Sequence, residues 1–257
     1  MAPSSAFDYA SDELDAMACA RNYYRWILDA WRPYLGRVVL EFGAGIGTFS
    51  AHLLREPIER LFLVEPARML CGRLEARFRN PGRVRILHGI LEDFRDEMRD
   101  SGIDSIVSVN VLEHIDDDAA TLRAAWDILV PGGRLFIFVP AFQFLYGSLD
   151  QTFGHVRRYT KPQLLAMLSD LGYEVLSSRY MNLVGTLSWL IAGRLIRQRT
   201  LSSRAVALAD RTLIPVSARL ERWFHPPFGQ SLLVVAGKPR KTSEEGSDAP
   251  PWALRTH

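Results

Sequence analysis

Arg37-Val-Val-Leu-Glu-Phe-Gly-Ala-Gly-Ile-Gly-Thr-Phe-Ser50 is the stretch whose reading decides the fold. Val38, Val39 and Leu40 form a short apolar run that ends in Glu41 and a turn signal, the pattern of a buried strand. Gly43, Gly45 and Gly47 then supply a turn without Cβ atoms, flanking Ala44, so that a ligand can lie against the backbone. From Thr48 onward Phe49, Leu53 and Leu54 recur at helical spacing. A strand, a glycine turn and a helix in this order place a nucleotide-like ligand at the edge of an α/β sheet.

Charge narrows the ligand. A dinucleotide fingerprint needs Gly-x-Gly-x-x-Gly, but here the third glycine comes one position early and Thr48 stands where the last glycine belongs. Glu41 lies at the mouth of the loop. A carboxylate there repels a pyrophosphate and attracts a cation. S-adenosylmethionine carries an ammonium and a sulfonium and no phosphate, which fits.

Working outward, Leu61-Phe-Leu-Val-Glu65-Pro66 is a second apolar run ending in an acid. It lies about 20 residues past the glycines, where an acid bonding ribose hydroxyls belongs. Val84–Gly89 and Asp104–Asn110 read as the third and fourth strands, the latter followed by Val111-Leu-Glu-His-Ile115. Pro131–Pro140 is a turn and a fifth strand. Helical patterns over 69–78, 91–98 and 119–129 alternate with these runs. Alternation of this kind gives a parallel, doubly wound α/β sheet.

On Leu40-Glu-Phe-Gly-Ala-Gly-Ile-Gly47, Val64-Glu65-Pro66, Asn110-Val-Leu-Glu-His114 and Pro131-Gly-Gly133, the chain resembles the class I S-adenosylmethionine-dependent methyltransferases. Within them it is most similar to the ubiquinone-biosynthesis O-methyltransferases, which also carry Leu-Glu-His after strand four. The resemblance spans roughly residues 20–180 and the last strand. It implies a Rossmann-like, seven-stranded, mostly parallel sheet of order 3-2-1-4-5-7-6, with strand seven antiparallel. Residues 173–179 and 231–237 are the candidates for the last two strands. It also implies S-adenosylmethionine as cofactor, with S-adenosylhomocysteine as product. The cofactor contacts would be Glu41, Gly43, Ala44, Gly45, Gly47, Glu65, Pro66 and Asn110. Family members usually place an Asp after strand three to bond the adenine amino group; Ile90 stands there. Adenine recognition then falls to the Leu91 backbone, to Glu92 or to apolar packing.

The chain of 257 residues exceeds a minimal sheet of this kind and can bury a sizeable core. Two cysteines, Cys19 and Cys71, give no disulfide framework, so a reducing cytoplasm is the expected compartment. The first residues lack the basic and apolar regions of a signal peptide. Residues 1–150 carry 16 basic and 22 acidic side chains, whereas residues 151–229 carry 11 basic and 4 acidic ones. An acidic cofactor half suits a cationic cofactor, and a basic second half suggests an anionic substrate or surface. The expected organisation is a lid segment over 1–36, a core over 37–182 and 230–238, a helical insertion over 183–229 and a disordered tail over 239–257.

Residues 18–35 read as a helix rich in aromatics, either a lid that sets Tyr24 against the acceptor or a face packed on the sheet rim. The loop after strand four lies beside the glycine turn at the topological switch point. His114 there is the first candidate base for an acceptor hydroxyl, with a purely structural imidazole as the alternative. Asp116, Asp117 and Asp118 read as a helix cap rather than a cation site, and no Cys/His spacing suggests a metal. Phe153-Gly-His-Val-Arg-Arg-Tyr-Thr-Lys-Pro162 is the second constellation. In it His155 is a second candidate base, and Arg157 and Tyr159 are candidate substrate contacts, an arginine suiting a carboxylate or phosphate.

The insertion is apolar over 183–196 and too short to span a bilayer. Further helices are expected over 205–213 and 218–224, separated by Pro215. The segment reads as a cap over an apolar acceptor pocket, as a basic amphipathic surface for anionic lipid, or as a dimer interface. Three function classes follow: methyl transfer to a small, hydrophobic and anionic acceptor, most simply at oxygen; transfer to a lipid-linked or membrane-surface acceptor; and an inactive cofactor-binding partner subunit. A nucleic-acid substrate is disfavoured, because no basic stripe interleaved with aromatics is present.

Overall fold

The computed structural model describes residues 11–79, 82–198, 200 and 202–240. Seven strands form one sheet: β1 (Val38–Phe42), β2 (Arg60–Glu65), β3 (Val84–His88), β4 (Ser105–Val109), β5 (Arg134–Pro140), β6 (Glu174–Met181) and β7 (Ser231–Gly237). Their order is β3-β2-β1-β4-β5-β7-β6, as the resemblance implies. β1 to β5 pair in parallel, with Val39 opposite Leu61 on one side and Ser105 on the other. β7 runs antiparallel to both β5 and β6. Side chains alternate across a strand, so β1 feeds two cores. Val38, Leu40 and Phe42 join one apolar cluster, and Val39 joins the other.

Helices cover both faces: α1 (Ser11–Met17), α2 (Arg21–Trp31), α3 (Ser50–Leu53), α4 (Arg68–Arg77), α5 (Arg95–Met98), α6 (Asp118–Ile128), α7 (Ser148–Thr152), α8 (Lys161–Asp170), α9 (Leu183–Trp189) and α10 (Ser203–Leu220). α2 is strongly amphipathic. It buries Tyr23, Tyr24, Trp26, Ile27, Leu28 and Trp31, and Trp31 meets Phe49 and Phe136 edge-on inside the second cluster.

Several boundaries differ from the expectation, each for a physical reason. The helix expected over 18–35 is broken at 18–20 and ends in a 3₁₀ turn over Arg32–Tyr34 that holds Pro33. After the glycine loop α3 lasts a single turn, and the run over 91–98 splits into a 3₁₀ turn (Leu91–Phe94) and α5. In the insertion, α10 continues through Pro215 rather than stopping there. Pro215 is exposed, so water can serve the carbonyl that loses its donor. α9 passes directly into a π-helical turn over Leu190–Leu195. Just before the tail expected from 239, Lys238 Nζ donates to the carbonyls of Trp126 (2.6 Å) and Leu129 (2.7 Å). The remainder of that tail, from 241, lies outside the described residues. No helix of the described residues is long and apolar enough to cross a membrane.

Candidate functional site

A crevice with a cavity of about 820 Å³ opens at the carboxyl ends of the strands, the place where open α/β sheets bind ligands. It runs from Glu65, Gly89 and Ile90 at one end to Trp189, Ala192 and Ser202 at the other.

The first end is built by the glycine loop. Gly43 and Gly47 adopt φ of +69° and +75°, in the left-handed region that L side chains avoid. A Cβ on Gly43 would come within 2.4 Å of Val111, and one on Gly47 within 2.5 Å of Phe78. Gly43 and Gly45 line the crevice. Gly47, between the lining residues Ile46 and Thr48, lets the loop press against Leu74 and Phe78 of the α4 region. The Gly45 N–H donates to Glu65 Oε2 (2.8 Å) and the Ala67 N–H to Glu65 Oε1 (2.9 Å). Each oxygen of Glu65 keeps a lone pair for a further donor, as a ribose hydroxyl would need.

Glu41 also lines the crevice, but it is buried and accepts a 2.5 Å hydrogen bond from the Ser50 hydroxyl. Burial pushes its carboxyl up to about 8, the Ser50 bond lowers it in part, and the Glu65 charge raises it further. The expected fixed negative charge is thus mostly protonated near neutral pH. An arriving cation would draw the proton off.

Ala44, Pro66, Leu91, Glu92 and Asn110 all line the crevice. Asn110 takes φ +53° at the end of β4, and its N–H donates to the Phe138 carbonyl (2.8 Å). Ile90 is 40 % exposed beside buried Leu91. The Glu92 carboxylate accepts the Thr121 hydroxyl. A flat, apolar base therefore finds Ile90 and Leu91 as a platform with Glu92 at the edge. These features fit a cationic sulfonium nucleoside: a side-chain-free bend, two acids beneath it and an apolar platform beyond.

The second end is assembled from distant parts. His114 Nδ1 lies 3.3 Å from the Gly154 carbonyl, and its ring meets His155 edge-on with centroids 4.8 Å apart. His155 Nδ1 lies 2.7 Å from Asp150 Oδ1. Asp150 in turn accepts from Arg158 Nε (2.7 Å) and Nη2 (3.1 Å), from the Gly147 N–H (2.9 Å) and from Trp189 Nε1 (3.2 Å). Burial alone would raise the Asp150 carboxyl, but the hydrogen bonds from His155 and Arg158 and the Arg158 charge outweigh it and hold it at about 2. A fixed carboxylate on Nδ1 orients the His155 ring and leaves Nε2 as the nitrogen turned away from it. Burial and the neighbouring His155 push His114 down to about 3, so that ring is neutral at physiological pH.

Tyr24 lines the crevice and tilts against Phe49 and His52. Arg157 and Tyr159, the expected substrate contacts, are bonded to the loop after β4. Arg157 donates to Asp118 Oδ2 (2.8 Å) and to the Asp116 carbonyl (2.8 Å). The Tyr159 hydroxyl, 3 % exposed, donates to Asp118 Oδ2 (2.7 Å). Neither is among the crevice walls. Both serve to hold the loop after β4. Asp117 Oδ1 accepts from the Ala120 N–H at the start of α6, the capping role expected of that acidic run.

The sequence reading missed Asp150, Arg158, Trp189 and Tyr23. The Tyr23 hydroxyl lies in hydrogen-bonding reach of Ser231 and Asn110, and burial pushes it up to about 12. It missed as well that Glu113, His114 and His155 bring donor atoms within 4.8 Å of one another. His155 Nε2 and Glu113 Oε1 stand 3.9 Å apart. Zinc held at about 2.1 Å by nitrogen and oxygen needs its donors roughly 3.4 Å apart. The Glu113–His155 spacing is wider than that, and the tighter contact of His155 is with Asp150, outside this group.

A family model described as a methyltransferase domain matches residues 16–178. A probable S-adenosylmethionine-dependent methyltransferase of Mycolicibacterium smegmatis is 28 % identical over 142 residues, covering 54 % of this chain and 53 % of that protein. An uncharacterized methyltransferase of Mycobacterium tuberculosis is 31 % identical over 118 residues, covering 46 % of this chain and 58 % of that one. The chain thus spans about half the length of the curated relatives it matches. The fold superposes on a SAM-dependent methyltransferase from Archaeoglobus fulgidus with a TM-score of 0.57 at 19 % identity, covering 85 % and 94 % of the two chains.

Proposed function

This chain belongs to the S-adenosylmethionine-dependent methyltransferases, and on that premise we propose that it methylates an oxygen of a small, largely apolar acceptor. The cofactor is S-adenosylmethionine, which supplies when bound a methyl group already activated by its sulfonium. What the chain adds is alignment, exclusion of water and a place for one proton.

The observation that carries this reading is His155 in the crevice wall, with buried Asp150 behind it at 2.7 Å from Nδ1. Asp150 stabilises the imidazolium that forms as His155 Nε2 takes the acceptor's hydroxyl proton. His114, neutral and half-buried beside it, keeps a second positive charge away from that imidazolium. Trp189, Leu149 and Phe153 supply the apolar wall against which the acceptor lies. Arg158 is consumed by Asp150 and the Ala141 carbonyl, so an anionic acceptor group would have to be met elsewhere. Free Cys19 and Cys71 accord with a cytoplasmic setting.

The test is incubation of the purified chain with metabolite extract and methyl-labelled cofactor, followed by mass analysis of the labelled product. A methyl ether is expected, with single-turnover transfer slowed about 10²–10⁴-fold in His155→Ala. A product labelled on carbon or nitrogen, or a variant that keeps the full single-turnover rate, would overturn the reading. Glu65→Ala should weaken cofactor binding by calorimetry with or without an acceptor present.

A further inference from the structure

We infer that the outward face of the insertion over 183–229 is a docking surface for an anionic lipid bilayer. Among the described residues, 18 large apolar side chains are at least 36 % exposed, and 12 of them lie in this segment. They are not scattered. On α10, Leu213, Val216 and Leu220 recur at i, i+3 and i+7, and the stripe runs on to Trp223, which is 89 % exposed. On α9 and its π-helical continuation, Leu187, Ile191 and Leu195 form a second stripe at four-residue spacing. Aliphatic and tryptophan side chains displayed together on a helix are what the headgroup–acyl boundary takes up.

Charge says which partner covers them. Arg204, Arg211 and Arg219 are exposed on α10 and Arg222 just beyond its end, and Arg194 and Arg197 are exposed beside the second stripe. The acids of this segment are Asp210 and Glu221, and both are turned inward. Asp210 accepts from the Asn22 and Tyr23 N–H groups at the start of α2, and Glu221 from those of Asn182 and Leu183. The outer face is therefore apolar and cationic with no exposed acid among its described residues. A second copy of this chain would bring its own arginines to that face, whereas phosphatidylglycerol-type headgroups neutralise them. No helix here is long and apolar enough to cross the bilayer, so the segment lies along the surface.

The placement has a consequence for the acceptor. Ala205, Val206 and Ala209 of α10 and Ser188, Trp189 and Ala192 of α9 and its continuation line the crevice from within. Leu213 belongs to both surfaces, lining the crevice while 43 % exposed. Docking would set the apolar mouth of the crevice against lipid, which deepens the reading above by making the acceptor a lipid-soluble molecule. The docking itself does not depend on which atom is methylated.

The experiment is co-sedimentation of the full chain with vesicles of phosphatidylcholine alone and of phosphatidylcholine mixed with phosphatidylglycerol. Binding should favour the anionic vesicles at least tenfold and weaken as salt rises. Arg211→Glu/Arg219→Glu should cut it at least tenfold, as each arginine near such a surface is worth roughly fivefold. Leu220→Asp should cut it also. Calorimetric cofactor binding without lipid should stay unchanged in all variants, which separates this test from that of the methyl-transfer reading. Overturning results are equal binding to both vesicle types, no binding by protein that still takes up cofactor, or indifference to both variants. A dimer in analytical ultracentrifugation that Leu220→Asp dissociates, without vesicle binding, would assign the face to self-association instead.

Discussion

The loop after β1 and the segment after β5 face one crevice and are built on opposite plans. The first is made of neighbours in sequence: Glu41, Gly43, Gly45 and, one strand over, Glu65, with backbone groups doing most of the bonding. The second is made of strangers. Asp150 from α7, His155 and Arg158 from the following loop, Trp189 from α9 and His114 from beyond β4 meet only in the folded chain. A backbone cradle tolerates a ligand's charge with little side-chain cost. A side-chain network must first satisfy itself, and Asp150 accepts five hydrogen-bond contacts before any acceptor arrives.

The sharpest way to break that contrast is Asp150→Ala. It leaves the Arg158 guanidinium, 4 % exposed, without its carboxylate. Removing one partner of a buried ion pair costs about 3–5 kcal/mol, and for a chain of this size that lowers Tm by roughly 10 °C in calorimetry. Glu65→Ala, at the other end, should cost cofactor affinity and little stability. A Tm change below about 2 °C for Asp150→Ala would mean that the second end is not self-braced.

The next effect concerns protons at the cradle. Glu41 sits near 8 in the folded chain, against an unfolded value of about 4.3. The native state then holds an extra proton between those values, so stability is greatest at the acid side of the window and falls as pH rises through it. Between pH 6 and 8 the loss should be on the order of 2–3 kcal/mol in denaturant titrations. Glu41→Gln, which cannot ionise, should flatten that slope. At pH 7 the arrival of a cationic cofactor should release close to one proton, readable as a dependence of calorimetric heat on the buffer's ionisation enthalpy. A slope and a heat that Glu41→Gln leaves untouched would show that Glu41 is ionised throughout.

The same contrast explains what the sequence disclosed. The first five strands and the glycine bend were legible because each rests on short-range patterning, while the strand order and β7 came with the family resemblance that those short motifs carry. His114 and His155 were legible as single residues, since imidazoles on crevice loops are uncommon. Their connection was not: Asp150 reads as one acid among many, and nothing near it in sequence announces a partner five residues on. Arg157 and Tyr159 show the complementary case. Their side chains look like ligand hooks until the fold brings Asp118 against both. The single turn of α3 and the continuity of α10 through Pro215 were hidden as well, because tertiary packing there overrides local propensity.

The smallest expected effect tests how the two ends are tied together above the crevice. α2 begins after Ala18-Cys-Ala20, which offers no side-chain cap of its own. The cap arrives from 188 residues away: Asp210 of α10 accepts the Asn22 N–H at 3.1 Å and, through its other oxygen, the Tyr23 N–H at 2.9 Å. The carboxylate also sits at the positive end of α2, where a negative charge is favoured. Asp210→Ala strips two donors at once and should cost about 1–2 kcal/mol in denaturant unfolding. Asp210→Asn keeps one acceptor oxygen and should recover part of that loss. Because Tyr23 reaches Asn110 and Ser231 in the crevice, loosening the cap should also weaken cofactor binding several-fold. A full stability loss with unaltered cofactor affinity would show that α2 braces the fold without serving as a lid, and the two ends would then be coupled through the sheet alone.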